Sequence, residues 1–469
     1  MDEILTALDG VVDGLHERAG AVVTGRADFW PGPLDVQGLA TSSVGLAAAS
    51  AQEFARATGR ETFHIGARLP EVVAAFGSIT HLRIDGRPVP GFAPASGFFP
   101  TADGWLRTHA NYPHHRSRLF RALRIDDDDA LPGALARLTS RDAEARVVAA
   151  EGVAAAVVDE ETWRRGATSA PGPWLAISPG DVDVTGGPRA ARPAAGPWAA
   201  TSAPDAAEGP LNGVRVVSLT RVIAGPTGAK FLAALGADVL RIDPPVMPES
   251  TGQHLDTDLG VRCAARDLSD PRQAAELTEV LAGADVLFTG YRPGSLTALG
   301  LDAATVRERF PHLVHVELSA WESAGPRGGR RGFDSIVQAA SGIAVRCGRT
   351  GDDGVWHPGA LPVQALDHAT GYGMAAAACA LLAAGTAGHA HLSLERTARV
   401  LLGAPVPSTH RGSEDAVGEA QTVLLRTGEG TVRCVPSPVR VDGRRPPVHP
   451  PLTWRSDGLS PRAAPPRSA

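Results

Sequence analysis

Lysine is almost missing from this chain of 469 residues: Lys230 is the only one. Any phosphate-bearing ligand would therefore be held by arginine and backbone N–H groups. Cysteine is scarce too. Cys263, Cys347, Cys379 and Cys434 stand far apart and form no CxxC pair, which argues against a zinc site and fits reduced thiols in a cytoplasmic protein. No apolar run reaches the roughly 20 residues of a membrane-spanning helix. The opening stretch MDEILTALDGVVDGLHERAG is acidic and amphipathic, unlike a secretory leader. A formal net charge of −6 offers no basic footprint for nucleic acid.

A hydrophobic content of 43% with 20% charged residues indicates a globular chain of about two or three domains. Residues 187–210, rich in Pro and Ala and without hydrophobic periodicity, read as a linker, and 455–469 as a disordered tail. Before the linker, residues 3–17 carry apolar positions at helical spacing. Residues 95–110 read as a hairpin turning at Asp103-Gly104, followed by a helix with Asn111 near its cap and Pro113 in its first turn. His114 and His115 are adjacent, so on a helix they diverge, and a solvated or capping role is expected. The acidic run Asp126–Asp129 lacks the spaced ligands and glycine of a calcium loop.

After the linker, the strands 214–219, 238–243, 285–290 and 313–319 alternate with helices, including 270–282 and 302–309. That alternation predicts a doubly wound parallel α/β sheet, with ligands at the carboxyl ends of its strands. The first turn reads AGPTG, and Asp243 ends the second strand. A nicotinamide fingerprint would read GxGxxG, and Pro226 stands where close approach to a pyrophosphate would be needed.

The chain also contains a comparison with itself. Residues 361–391, LPVQALDHATGYGMAAAACALLAAGTAGHAH, align without a gap to residues 34–64, LDVQGLATSSVGLAAASAQEFARATGRETFH. Both have the frame L-x-V-Q-x-L, an Ala-rich helix and a closing His. Asp367 in one is matched by Ala40 in the other. An Asp at a helix start is commonly an N-cap; a diverged repeat that differs at one acidic position also suits an active copy beside an inactive one.

The second half resembles the class III CoA-transferases, which include formyl-CoA transferases, carnitine CoA-transferases and α-methylacyl-CoA racemases. The matching pieces are LNGVRVVSLTRVIAGPTGAKFLAALGADVLRID at 211–243, RCAARDL at 262–268, ADVLFTGYRPGSLTALGL at 284–301, PHLVHVELSAW at 311–321, GPRGGRRGFDSIVQAASGI at 325–343 and the Asp367 segment. The segments GFFPTADGWLRTHANYPHHRSRL and EGVAAAVVDEETWRRG are similar to that family's small domain. The resemblance implies a Rossmann-like doubly wound sheet domain plus a smaller α/β domain, rearranged in order. The expected division is 1–94 as an inactive partial duplicate, 95–186 as the small domain, 187–210 as linker, 211–454 as the large domain and 455–469 as tail.

The resemblance also implies chemistry. Asp367 would attack an acyl-CoA thioester, and CoA would pass through an aspartyl-CoA intermediate to a small carboxylic acid, with no resident cofactor or metal. A helix N-terminus would favour the carboxylate and offer N–H groups to developing oxyanions. Gly371 and Gly373 would leave room for the thioester or serve helix packing. CoA would lie along Ala224 and Gly225, with its phosphates near Gly290, Arg292 and Arg262, and Tyr291 against the adenine. Val261 stands where the family usually has the Lys of a Lys-Arg pair. Asp334 would shape the pocket. Phe333 replaces the His used by the racemase branch, and the stretch GRPVPGFAPASGF lacks the run of glycines that closes over the nucleophile in formyl-CoA transferases. The family forms interlocked homodimers. An intramolecular CoA-transferase or isomerase, a racemase and a non-catalytic CoA-binding subunit remain as alternatives.

Overall fold

The run VRVVSL forms the centre of the largest sheet. Its strand, Arg215–Leu219, puts Val216 on one face and Val217 on the other. Both faces need cover, and both receive it. Val216, Val239, Cys263, Phe288 and Val316 meet the helices Ala224–Ala234 and Ala365–Ala383, while Val217, Leu240, Ala264 and Leu287 meet Pro271–Ala282 and Ala303–Arg309. Two cores on opposite faces are what a doubly wound sheet requires.

The structure is a computed structural model. It describes all residues except 26–28, 61, 167–171, 184–208, 353, 407–420, 452–453, 455–457 and 460–469. The expected linker 187–210 and tail 455–469 lie almost wholly outside the described residues. No described helix is long and apolar enough to cross a membrane.

The large sheet has seven strands in the order Arg262–Ala265, Asp238–Asp243, Arg215–Leu219, Val286–Thr289, Val314–Ser319, Thr386–Ser393, Leu175–Asp183. All neighbours are parallel except the last pair. The order reverses direction between Arg215–Leu219 and Val286–Thr289, so a crevice opens there at the carboxyl edge. Before the linker, the strands Phe98–Pro100, Trp105–Thr108 and Ala154–Ala156 form an antiparallel sheet packed on the helices Pro113–Leu123, Ala130–Leu135 and Ser140–Ala149. The hairpin turns at the expected place, with Thr101 N–H donating to Gly104 O.

The expected boundaries are crossed by strand pairing in both directions. Leu175–Asp183, assigned by sequence to the small domain, closes the edge of the large sheet beside Thr386–Ser393. Conversely, Val439–Val441 pairs with Ile65–Arg68, and Gly430–Cys434 pairs with Arg83–Ile84. A bare strand edge is an association hazard, and each half covers the other's.

The two stretches that align in sequence also adopt the same element order. Val36–Ala57, Ile65–Arg68 and Leu69–Phe76 run helix, strand, helix, as do Ala365–Ala383, Thr386–Ser393 and Leu394–Gly403. Each strand has a parallel neighbour on one side and, on the other, an antiparallel neighbour from the opposite half. The units meet face to face: Phe76 lies 5.0 Å from the His368 ring and 5.8 Å from Tyr372. Expressed separately, residues 1–205 and 206–469 should be insoluble or unfolded, and co-expression should restore a soluble complex. Circular dichroism and size-exclusion chromatography of the three preparations check this. A folded, soluble 206–469 on its own would contradict it.

Candidate active site

The Ala-rich sequence from Ala365 onward has high helix propensity and no interior proline. Asp367 is its third helical residue, and the N-cap is Gln364. The capping role open to Asp367 from sequence belongs to a residue on another helix. Asp334, first residue of Asp334–Ser341, accepts the Leu366 N–H at 2.9 Å and the Asp367 N–H at 3.1 Å through Oδ2. Its other oxygen accepts from Gln338 Nε2, and Gln338 Oε1 accepts the Leu361 N–H at 2.8 Å. The two N–H groups expected to be available to an oxyanion are therefore already taken by Asp334.

Gly371 is filled by packing. A Cβ there would meet Ala224 O at 2.1 Å, and one on Gly228 would meet Gly371 O at 2.6 Å. The helix Ala365–Ala383 and Ala224–Ala234 thus touch backbone to backbone. Gly373 is filled by the side chains of Trp174 and Leu392. The expected room for a thioester does not lie along these glycines. Ala224 and Gly225 are buried in the first turn of their helix, and a Cβ on Gly225 would strike Thr220 Cβ at 2.3 Å. Just before them, Val222 has φ 70°, a left-handed conformation costly for a β-branched residue. Its N–H donates to Glu249 Oε2.

Burial raises the Asp367 carboxyl well above the usual range, and the neighbouring Asp334 charge raises it further. Asp334 itself is pushed up to about 6 by burial, against the pull of Gln338 and the two backbone N–H groups. Two like charges this close oppose each other's ionisation. The first half supplies what surrounds them. Arg107, on strand Trp105–Thr108, exchanges charge effects with Asp334. His109 stacks on Phe333, ring centroids 3.6 Å apart and planes 8° from parallel. Burial and Arg107 lower His109 to about 3, so the ring is neutral. His115 is buried beside it, against the expectation of a solvated role, with its pKa lowered to about 2 mainly by burial. Asn111 accepts the Ala93 N–H instead of capping the helix, whose N-cap is Tyr112. Sequence reasoning missed Arg107, His109 and Gln338. The available signal was a polar pair, Arg107 and His109, in the segment WLRTHA.

Gly290, Tyr291 and Arg292 follow the carboxyl end of Val286–Thr289, the edge expected for a ligand. Arg292 is exposed and lines a cleft of about 100 Å³ with Arg327, Arg330, Arg331, Glu144 and Glu151. Tyr291 is half-buried and packs on the second core; burial and the Asp243 charge raise its hydroxyl. Arg262 is placed differently. It opens its strand at the amino edge of the sheet and forks onto Asp238 at 2.8 and 3.2 Å, so the structure separates it from Arg292. Another buried arginine, Arg241, bonds Asp243, Glu249 and Asp258 at 3.1, 3.3 and 3.1 Å. His254, Asp258 and Cys263 converge there at ligand spacing. Arg241 already supplies the positive charge at that place, and the Cys263 thiol is pushed up by burial, so the set does not suit a metal.

Comparison with known proteins follows this geometry. Residues 211–423 match the model of CoA-transferase family III. A probable fatty acyl-CoA transferase of Mycobacterium tuberculosis is 30% identical over 186 residues, covering 37% of this chain and 46% of that protein. Human succinyl-CoA:glutarate CoA-transferase is 31% identical over 174 residues, 34% of this chain and 39% of its own. Acetyl-CoA:oxalate CoA-transferase of Acetobacter aceti is 32% identical over 158 residues, 31% of this chain and 41% of its own. The crystal structure of the mycobacterial protein gives a TM-score of 0.38 at 30% identity, covering 43% of this chain and 56% of that one. The chain thus spans less than half the length of these relatives in sequence.

Replacing Asp334 by Asn removes the neighbouring charge and keeps one acceptor oxygen for the helix. Asp367 should then titrate at a lower pH than in the unmodified chain, though still above an exposed carboxyl because burial remains. Carboxyl-carbon NMR on Asp-labelled protein reads this directly. An unchanged or raised Asp367 titration would show that the two carboxyls are not coupled.

Proposed function

We propose that this chain, whose residues 211–423 match CoA-transferase family III, moves CoA from an acyl-CoA thioester to a carboxylic acid with Asp367 as the nucleophile. The supporting observation is the placement of Asp367. It is buried in the first turn of an apolar helix, at the carboxyl edge of a doubly wound sheet, with its backbone held by a second buried acid. Two of the similar transferases are named for glutarate and oxalate, which supports a small acid as acceptor.

In this reading one Asp367 oxygen attacks the thioester carbonyl. The C–S bond breaks, CoA leaves as thiolate, and a mixed anhydride remains. The thiolate attacks the aspartyl carbonyl and releases the original acyl group as a carboxylate, leaving aspartyl-CoA. An incoming carboxylate attacks that thioester, and the steps reverse onto the new acid. Asp367 must be ionised to begin, so turnover should rise as pH rises through its elevated pKa. Asp334 acts as a positioning residue that fixes the helix start. Arg292, at the strand end beside other arginines, is our assignment for the CoA phosphates, with Gly290 and Tyr291 beside it; Ala224 and Gly225 support the nucleophile helix from below.

An isomerase moving CoA within one molecule would use the same steps. Racemisation gains no support. Phe333 cannot exchange a proton, and the imidazole stacked on it is held neutral by burial and Arg107. The strand exchange between the halves is complete within one chain. We therefore infer that one copy holds a whole Asp367 site, taking the place of the interlock that the resemblance implies between two copies. Light scattering coupled to assay should find activity in single-chain particles; activity confined to two-chain particles would restore the homodimer.

Asp367→Ala should reduce CoA transfer below a few per cent while near-ultraviolet dichroism stays unchanged, because Ala already occupies the matching position, Ala40. Incubation with acyl-CoA and then borohydride or hydroxylamine should modify the peptide containing Asp367. A peptide map with no modification, in a chain that still binds CoA, would identify a non-catalytic CoA-binding protein.

A further inference from the structure

Four arginines are buried among the described residues: Arg107, Arg241, Arg262 and Arg396. Three of them bond carboxylates: Arg241 three of them, Arg262 Asp238, and Arg396 Glu322. Arg107 is different. It is 8% exposed, and no described carboxylate lies within ion-pair distance of it. Its Nε has no hydrogen-bond partner. Its guanidinium carbon lies over the rings of Phe92 and Phe98, at 4.9 and 5.0 Å from their centroids. Aromatic faces attract a cation only in part. A buried charge with no bonded counterion is costly, and native chains rarely keep one without a use.

The position of Arg107 indicates that use. It shares its strand with Trp105, which meets the His357 ring of the second half, so this side of the small sheet faces the nucleophile domain. The segment carrying Phe92 lies above it and is fixed to the strand end by Thr108 Oγ1 donating to Ala95 O at 2.7 Å and by the Ala93–Asn111 bond. Phe92 is 43% exposed, which marks this as the open side. Arg107 and Asp334 each feel the other's charge, whereas Asp367 feels Asp334 and not Arg107. His109, two residues further along the chain, stacks on Phe333, the neighbour of Asp334, so this stretch lies beside the two acids.

We propose that Arg107 binds the remote carboxylate of a dicarboxylic acid whose other carboxylate is presented to Asp367. The proposal deepens, and rests on, the transferase reading above. A guanidinium takes a carboxylate through two parallel N–H···O bonds. Phe92 and Phe98 would cover the methylene spacer between the two carboxylates. The subsite makes the chain select diacids over monoacids of equal length, because a monoacid leaves the guanidinium buried and unpaired. A CoA phosphate offers the same anionic oxygens, and binding data separate the two sources.

Calorimetry on the intact chain, with glutarate and pentanoate as probes, tests the subsite without requiring turnover. The wild-type chain should bind glutarate roughly tenfold or more tightly than pentanoate, the scale of a hydrogen bond to a charged group. Arg107→Gln should erase that preference, leave CoA affinity unchanged and keep the near-ultraviolet spectrum. Arg107→Lys should restore part of the preference, which a misfolded variant would not do. Equal binding of the two acids by the wild-type chain, or a preference that survives Arg107→Gln, overturns the proposal. So does a loss of CoA affinity in Arg107→Gln with the glutarate preference intact, which would assign the guanidinium to a CoA phosphate. A wild-type chain that prefers glutarate but transfers no CoA would uphold the subsite and remove the transferase reading.

Discussion

The carboxylate of Asp334 is the constraint on which the site is built. It is buried, and it accepts from Gln338 and from the Leu366 and Asp367 N–H groups in the first turn of the Asp367 helix. A helix start without such a partner leaves orphan donors in an apolar interior. The same segment organises the other half of the molecule. Phe333 carries the His109 ring, and Arg107 meets the field of Asp334. Val158 N–H donates to Ala339 O on the same helix. One short helix thus sets the backbone of Asp367, the charge beside it and the position of the small sheet.

That arrangement brings two acids together where water is excluded. Neither ionises as an exposed carboxyl would, and the ionisation of one is felt by the other. A substrate anion entering such a site meets repulsion from any carboxylate already charged. Arg107, from the first half, offsets part of the Asp334 charge.

Much of this was legible in the sequence, for reasons that differ by element. Four of the seven strands of the large sheet are continuous apolar runs bounded by turns, and they lie within a residue or so of where periodicity placed them; Arg262–Ala265, Thr386–Ser393 and Leu175–Asp183 lack such runs. Asp367 stood out because the aligned stretch has Ala40. Its role as a possible cap was misplaced, because the capping group comes from Asp334, distant in sequence and brought near only by packing. Arg262 was read from its segment, which cannot reveal that it opens its strand and so faces the opposite edge from Arg292. His115 looked solvated beside His114 because nothing local shows that Phe333 and His109 bury it. Arg107 carried only the faint signal of a polar residue in the strand segment WLRTHA. Its meaning comes from what is missing around it, and only a folded structure shows that.

The exchange of strands between the halves also has a consequence in time. Glu71 and Arg440, which ion-pair beside the shared sheet, are 369 positions apart. At a synthesis rate of ~5–20 residues per second, the later of the two reaches the folding chain roughly 20–70 s after the earlier. Throughout that interval Ile65–Arg68 has no partner on the side that Val439–Val441 will occupy. The nascent first half must therefore wait with an open strand edge, shielded by its own charged residues or by a chaperone, until the ribosome releases almost the last described segment of the chain.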